Sequence, residues 1–333
     1  MNRFEPDAAR APLGSSDLRV FRLFQHLGDA QLARLAAHGR EHGVAPGQVV
    51  YDEGGTGDDF FVVLAGSVEG RRSAPGGRRT VTHARVGQLF GEVSFLDGQP
   101  RDLTAVATGP GAVVAFSSAR VRRAMAIDPE LGTGLARTFW LSLAAKIREA
   151  NQLMGELLPA SSPAEPRAPG EPGQAVELGP SAKLDLFAET GLSAAELRLL
   201  ATTLRAESFP PGATIFLEGQ RGDSLYIVAR GQAIIARNVP GRGESRLAAL
   251  GRGEVFGEMA LVDDQLRSAD ARSGPEGCTT LLLSRHDLDE VLQRPSDAAV
   301  QFLGLVCRIL CHRFRAMIRT VTAERPSAGR REG

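Results

Sequence analysis

The chain lacks a long hydrophobic run, an excess of charge of either sign and a paired set of cysteines, and each absence excludes a class of protein. None of the 333 residues belongs to a run of eighteen apolar residues, which excludes an ordinary membrane-spanning helix. Because 39 Lys and Arg residues balance 39 Asp and Glu residues, no general basic field draws the protein to nucleic acid or anionic lipid. The opening segment has no apolar signal-peptide core, and three cysteines, an odd number, fit a reducing compartment. We therefore expect a cytoplasmic protein without a membrane partner.

Signatures of catalysis and of metal binding are also missing. The sequence has no P-loop, HExxH or Ser-His-Asp pattern, so we expect a protein that is not an enzyme. Cys307, Cys311 and His312 lie close together, but no second Cys/His pair accompanies them. Buried cysteine usually packs as a small apolar residue, so we expect no metal site here.

One unusual element occurs twice. Residues 90–101 read FGEVSFLDGQPR and residues 256–267 read FGEMALVDDQLR, so that in each copy an arginine follows a glutamate by nine positions. Upstream, four of the five glycines of residues 46–66 match the glycines of residues 211–231 at a constant offset of 165. Similarity over this length indicates a duplicated domain rather than a short-period solenoid.

The pattern within each repeat predicts a small antiparallel β domain with helices on both sides. Apolar runs such as DFFVVLAG and SLYIVARG are separated by glycine-rich turns about every 8–12 residues, which favours a sandwich or barrel. We predict an α+β protein of two tandem β-roll domains, jelly-roll-like antiparallel barrels, each flanked by N-terminal and C-terminal helices. The predicted boundaries are 18–158 for the first domain, 159–182 for a Pro/Gly/Ala-rich linker, 183–322 for the second domain and 323–333 for a disordered tail.

The repeated glutamate and arginine suit a ligand that carries both hydroxyl groups and a phosphate. A carboxylate accepts a hydrogen bond from a ribose hydroxyl, and a charge-assisted bond of this kind contributes roughly 1.5–3 kcal/mol. Arginine stays charged and presents a planar fork that can bind two phosphate oxygens. The apolar residues after each glutamate, VSFL and MALV, predict one helical turn whose first amides offer further donors to an anion.

On these motifs, both halves resemble the cyclic nucleotide-binding domain of catabolite-activator-type regulators and of kinase regulatory subunits. The resemblance covers roughly residues 18–155 and 183–322. It implies that the two glutamates hold the ribose, that the two arginines hold the cyclic phosphate, and that a C-terminal helix lids the pocket. The predicted ligand-binding residues are Gly91, Glu92, Val93, Arg101 and Asp102 in the first copy and Gly257, Glu258, Met259, Ala260, Arg267 and Ser268 in the second.

The two copies differ directly after the arginine. The first has Asp102, whose charge opposes an anion unless the side chain turns outward, or neutralises Arg101 in an empty pocket. The second has Ser268, which offers a hydroxyl donor. We therefore expect the second site to be the surer binder and leave open whether the first site is functional.

The helices that close each repeat carry apolar residues at coiled-coil-like spacing. Aligning them on AAKIR and CHRFR places Ala150 and Asn151 near the base of the first site, and Met317 and Ile318 near the base of the second. One interpretation is that each helix packs on its own domain. Another is that the two helices pair within one chain, as a monomeric copy of the family's dimer, and a homodimer is the remaining alternative.

The expected function is that of a cyclic-nucleotide sensor. By family resemblance the default ligand is cAMP, with cGMP or another cyclic nucleotide as alternatives. Ligand would move the C-terminal helix and so signal to a protein effector that the sequence does not name. The rival interpretations are a degenerate scaffold, in which glutamate and arginine pair with each other, a kinase regulatory subunit, and a transcription-regulator-family protein without its own helix-turn-helix. Direct DNA binding is not expected.

Overall fold

The structure is a computed structural model that describes residues 14–157, 173–179, 181, 183, 204–239 and 243–323. Most of the predicted linker, the helical pattern that opens the second repeat and nearly all of the predicted tail lie outside these residues. The described chain divides into two compact units. The first contains residues 14–124, 152–157 and 311–323, and the second contains residues 125–151 and the described residues from 173 to 310. None of the described helices is long and apolar enough to span a lipid bilayer.

The first unit is built on two four-stranded antiparallel sheets. Its short helices are α1 (Ser15–Arg19), α2 (Asp29–Ala36) and α3 (Glu92–Asp97). Its strands are β1 (Gly39–Val44), β2 (Val49–Tyr51), β3 (Phe60–Ala65), β4 (Ser67–Ala74), β5 (Gly77–Arg85), β6 (Leu89–Phe90), β7 (Thr104–Ala107) and β8 (Gly111–Phe116). One sheet has the order β1-β8-β3-β6 and the other the order β2-β7-β4-β5. The α+β class and the β-roll architecture are confirmed, but the sheets do not close into a barrel.

Apolar side chains from both sheets form the core of this unit. Phe61 and Val63 of β3, Val68 of β4 and Phe90 of β6 belong to one buried cluster. The rings of Phe61 and Phe90 stack with their centroids 4.9 Å apart. Burial of each such side chain contributes about 1.5–3 kcal/mol relative to its exposure, so the core fixes the strand that leads into the repeated element.

The second unit repeats this architecture with longer strands. They are β9 (Gln174–Ala175), β10 (Arg205–Phe209), β11 (Thr214–Phe216), β12 (Ser224–Val239), β13 (Gly243–Leu250), β14 (Val255–Phe256) and β15 (Asp270–Ser284), and α6 (Glu258–Asp263) lies between β14 and β15. The sheet order is β13-β12-β15-β10-β9, with β11 paired to β15 and β14 to β12. A register shift beside Gly231 marks the point where the first unit divides the equivalent segment into β3 and β4. A Cβ at Gly231 would lie 2.2 Å from the Gly277 carbonyl oxygen, which explains this repeated glycine.

Two helices follow each repeat. They are α4 (Ser118–Ile127) and α5 (Pro129–Leu157) after the first, and α7 (Arg285–Gln293) and α8 (Asp297–Ala323) after the second. The long helices are shared between the units, because α5 belongs to the second unit up to Asn151 and α8 belongs to the first unit from Cys311. Within the second unit, Cys307 Sγ of α8 donates to the Ala136 carbonyl oxygen of α5 at 3.5 Å. The interpretation that each helix packs only on its own domain is therefore wrong.

Candidate functional site

The first copy of the repeated element, residues 90–101, is called here the first cassette. Gly91 has a φ of 81° and precedes α3, which begins at Glu92. A Cβ at Gly91 would lie 3.0 Å from the Asp59 carbonyl oxygen and 2.9 Å from Arg101 Nη1, so both conformation and space require glycine. Glu92 is fully buried. The tight turn thus places a buried carboxylate at the first position of a helix, beside the cassette arginine.

Arg101 is a buried cation held by neutral groups. Its Nη1 donates to the Gly91 carbonyl oxygen at 2.6 Å, and its Nη2 donates to that of Asp59 at 2.5 Å. The guanidinium carbon lies 4.3 Å from the centre of the Tyr51 ring. Burial lowers the pKa of Arg101 and raises the pKa of Tyr51 to about 12, so the phenol stays neutral beneath the cation.

The second cassette, residues 256–267, has the same construction. Gly257 has a φ of 77° and precedes α6, which begins at the fully buried Glu258. Arg267 Nη1 donates to the Ser224 carbonyl oxygen at 2.9 Å and to that of Gly257 at 2.5 Å. Its guanidinium lies 4.1 Å from the centre of the Phe216 ring, and burial lowers its pKa.

The hydrogen bonds of each cassette arginine go to backbone carbonyl groups, and its guanidinium lies over an aromatic ring. Burial lowers the pKa of Arg101 and of Arg267, and the charges of Glu92 and Glu258, respectively, act in the opposite direction. The pairing of glutamate with arginine inside a cassette stays a prediction. A buried cation is costly, and an anion of the right size would offset that cost.

The remaining predicted residues lie beside these groups. Met259 and Ala260 are buried in α6, whereas Val93 in α3 and Ser268 after Arg267 are half-buried. Asp102 is turned to other partners: its Oδ2 is 2.7 Å from Arg315 Nη1 and its Oδ1 is 3.4 Å from Arg72 Nη1. The alternative in which Asp102 neutralises Arg101 is therefore wrong.

An arginine from a closing helix contacts each cassette, and sequence reasoning missed both. In the second unit, Arg148 of α5 donates from Nε and Nη2 to the two carboxylate oxygens of Asp263 at 2.6 and 3.0 Å, and from Nη1 to the Leu266 carbonyl oxygen at 3.0 Å. In the first unit, Arg315 of α8 makes the same three bonds, to Asp97 at 2.6 and 2.9 Å and to the Pro100 carbonyl oxygen at 3.0 Å. Each arginine is the last residue of its segment, AAKIR or CHRFR, and this shared position was the sequence signal that could have identified the pair.

The aromatic residues under the cassette arginines were missed as well. Tyr51 and Phe216 occupy equivalent positions at the offset of 165 that relates the upstream glycines. Both residues end short strands, β2 and β11, and strand periodicity does not indicate that a guanidinium lies over such a residue. Cation–π contacts of this kind contribute about 0.5–2 kcal/mol and hold the planar group in a fixed orientation.

The structure reverses the predicted assignment of the base-side residues. Ala150 and Asn151 belong to the second unit, and Met317 and Ile318 belong to the first. Asn151 is 1% exposed, and its amide nitrogen and oxygen have no hydrogen-bond partner among the described residues. Asn151 follows Arg148 by three residues. The residue three positions after Arg315 is the buried Ile318, which is therefore the counterpart of Asn151.

The cysteines of the described residues are not paired in disulfides. Cys278, Cys307 and Cys311 are free and buried. Within the described ranges, no group of three or more His, Cys, Asp or Glu side chains is arranged to hold a metal ion.

Comparison with known proteins matches each repeat separately. A model of the cyclic nucleotide-binding domain matches residues 41–128 and 206–295. The chain is 37% identical over 120 residues to the cyclic AMP receptor protein of Thermus thermophilus, covering 36% of this chain and 55% of that protein. It is 25% identical over 268 residues to the cAMP-dependent protein kinase regulatory subunit of Blastocladiella emersonii, covering 80% and 56%. The chain therefore spans about half the length of these curated relatives.

The chain also matches a solved structure. The co-crystal structure of the regulatory domain of Toxoplasma gondii PKA with cAMP is 22% identical, with a TM-score of 0.31, and covers 87% of this chain and 93% of that one. The two family matches together cover more than half of the chain, and each contains one cassette with its buried glutamate and arginine. The chain belongs to the cyclic nucleotide-binding domain family, as the repeated cassette indicated.

Proposed function

We propose that the chain is a cytoplasmic, non-enzymatic regulatory protein that binds a cyclic nucleotide, with cAMP as its ligand, at each cassette and signals to a protein effector. The observation that carries the proposal is the pair of buried arginines, Arg101 and Arg267, each oriented by carbonyl groups and an aromatic ring. A cyclic phosphate supplies the single negative charge and the two oxygens that such a fork binds.

In this pose the two ends of the ligand are held by groups a few residues apart. The phosphate binds the cassette arginine, and the ribose hydroxyl donates to the buried glutamate at the start of α3 or α6. Because the turn before each helix is a glycine with positive φ, the sugar-phosphate can approach the backbone without meeting a Cβ. Cassettes kept only as a scaffold have no need of a buried arginine in the same orientation in both copies.

Support for adenine at the second site comes from Asn151. Its buried amide offers one donor and one acceptor, and a buried amide without partners costs free energy until a ligand satisfies it. Adenine presents a matching donor and acceptor at N6 and N7, whereas guanine presents two acceptors at O6 and N7. Asn151 therefore favours cAMP over cGMP at the second site, while Ile318 gives the first site no such preference.

The protein effector is inferred from relatives and from the helices. Relatives that match about 80% of this chain are named regulatory subunits of cAMP-dependent protein kinase, which supports a protein kinase as the class of effector. Because α5 and α8 each contact a cassette, a ligand that binds one arrangement of these helices better than another would shift their position. The free, buried cysteines agree with a reducing, cytoplasmic location.

Calorimetric titration of nucleotide-free protein with cAMP and cGMP tests the proposal. We expect saturable binding of two molecules of cAMP per chain, and loss of the second-site isotherm in Arg267→Ala. Arg230→Ala is the matched control, because Arg230 is an exposed arginine in the same repeat, outside the cassette. Absence of binding by either nucleotide, or binding that survives both Arg101→Ala and Arg267→Ala, would refute the proposed sites.

A further inference from the structure

The contact between each closing helix and a cassette has the same geometry in both units. Arg148 and Arg315 each bind both oxygens of an aspartate and one backbone carbonyl oxygen, with corresponding distances that agree within 0.1 Å. Such a three-bond arrangement uses most of the donors that a guanidinium offers in one plane. Its occurrence in both units, from helices that follow the opposite repeats, shows that it belongs to the architecture rather than to one local sequence.

Each arginine joins two particular points of its cassette. The aspartates, Asp97 and Asp263, are the last residues of α3 and α6, whose first residues are the buried glutamates. The carbonyl groups belong to Pro100 and Leu266, the residues immediately before the cassette arginines. The guanidinium therefore fixes the loop between the helix that carries the glutamate and the residue that carries the phosphate-binding cation.

These ion pairs are largely removed from water. The side chains of Arg315 and Asp97 are 7% and 13% exposed, and those of Arg148 and Asp263 are 17% and 11% exposed. Bidentate pairs in such surroundings are screened little by salt and hold a defined geometry. They contrast with an exposed pair such as Arg122 and Asp58, whose side chains are 46% and 40% exposed.

Each cassette arginine is also connected to the helix that leaves its own repeat. Arg101 Nη2 donates to the Asp59 carbonyl oxygen, and the Asp59 carboxylate accepts from the Ser118 amide, at 2.8 Å, where α4 begins. In the second repeat the amide of Arg285, the first residue of α7, donates to the Asp223 carbonyl oxygen at 2.7 Å, next to Ser224. After α4 the chain continues into α5, whose Arg148 contacts the second cassette. After α7 it continues into α8, whose Arg315 contacts the first cassette.

We propose that Arg148 and Arg315 are positioning residues for the nucleotide sites of the opposite repeats. Arg148, carried by the helix that follows the first repeat, sets the loop that presents Arg267. Arg315, carried by the helix that follows the second repeat, sets the loop that presents Arg101. This inference rests on the proposed function, since it concerns the same two sites.

The test uses the full chain and cAMP, in variants that keep only one of the two sites. Arg101→Ala leaves only the second site and Arg267→Ala leaves only the first. In the Arg101→Ala background, we expect Arg148→Met to weaken cAMP binding at the second site by about fivefold or more. In the Arg267→Ala background, we expect Arg315→Met to weaken cAMP binding at the first site by a similar factor. Arg319→Met, an exposed arginine four residues after Arg315, is the control on the same helix.

A purely structural role is distinguished by rescue and by stability. Arg148→Lys keeps the charge but not the three-bond fork, so we expect an affinity between that of the parent and that of Arg148→Met. The charge exchange Arg148→Asp with Asp263→Arg should recover part of the lost affinity, and a urea titration of each variant separates affinity from unfolding. If Arg148→Met cannot be purified folded, Asp263→Asn removes the same ion pair from the cassette side.

Two different failures can be told apart. If the parent backgrounds bind cAMP and Arg148→Met binds it equally well at the second site, the positioning role is excluded and the proposed function stands. A loss at the first site instead of the second would likewise exclude it. If the wild-type protein binds no nucleotide, the proposed function itself fails and these variants are not needed to decide it.

Discussion

The first and second cassettes share a frame but differ in the groups around it. Both have a positive-φ glycine, a buried glutamate and a buried arginine over an aromatic ring. Each is also bound by an arginine of the long helix that follows the other repeat. After the arginine the first has Asp102 where the second has Ser268. On the closing helices, the first unit has Ile318 at the position equivalent to Asn151 of the second. The comparison teaches that duplication has preserved the glycine, glutamate and arginine of the cassette, while residues around them have diverged.

A further difference has a structural explanation. In the first repeat, Thr104 Oγ1 accepts from the Glu53 amide at 3.1 Å, and in the second, Asp270 Oδ1 accepts from the Glu218 amide at 2.7 Å. The two side chains differ in charge but satisfy the same backbone donor. Variation at this position therefore gives no reason to expect different ligands.

Removal of the cassette arginines gives the largest expected effect on the comparison. Arg267→Ala and Arg101→Ala should each weaken cAMP binding at their own site by about 100-fold, because each removes charge-assisted bonds to the phosphate. Isothermal titration should report one site per chain in either variant, against two in the wild type. If Arg267→Ala removes a site and Arg101→Ala does not, the first cassette does not bind cAMP. The comparison would then be between a cassette that binds nucleotide and one that does not.

Exchange of the base-side residues tests the divergence directly. Asn151→Leu should reduce the preference of the second site for cAMP over cGMP by about tenfold, because a bidentate amide–adenine pair discriminates by about 1–3 kcal/mol. Ile318→Asn should create a preference for cAMP at the first site. Competition of each nucleotide against a fluorescent cAMP analogue, in the single-site backgrounds, measures both ratios. An unchanged ratio in Asn151→Leu would show that the buried amide serves packing between helices instead.

Replacement of Asp102 gives the smallest expected effect. Asp102→Ser makes the first cassette match the second, yet the carboxylate faces Arg72 and Arg315 and not Arg101. First-site affinity should therefore change by less than about threefold, while the free energy of unfolding falls by about 1–2 kcal/mol as a partly buried ion pair is lost. Urea unfolding and calorimetry on the same preparation separate the two quantities. A large gain in affinity would mean that Asp102 does repel the phosphate.

The parts of the site set by local sequence could be predicted. A glycine before a short helix, a glutamate at its first position and an arginine nine residues later are fixed by a few backbone dihedrals, so the cassette follows from its own residues. The fold class was predictable for a related reason, because strand periodicity and turn glycines repeat in both halves. That the sheets stay apart instead of closing into a barrel depends on long-range pairing, which periodicity does not specify.

The choice of helix for each site could not be predicted. An apolar stripe on α5 is buried equally well against its own repeat or against the other, so the pattern allows both arrangements. Arg148 and Arg315 have the spacing of ordinary solvated charges on an amphipathic helix, and their partners lie 115 and 218 residues away in the chain. The AAKIR and CHRFR segments mark the two arginines as counterparts, but a single sequence does not identify partners at that separation, and the same holds for the partners of Asp102.

The sharing of α5 and α8 between the two units has a consequence for the conditions under which such a sensor works. Where two separate chains complete each other's sites, dilution separates them and the sites fall apart. Here the completing helix is tethered, so its effective concentration is on the order of millimolar however little protein is made. The nucleotide concentration that half-saturates the proposed sites would then be the same in cells that make little of the protein and in cells that make much of it.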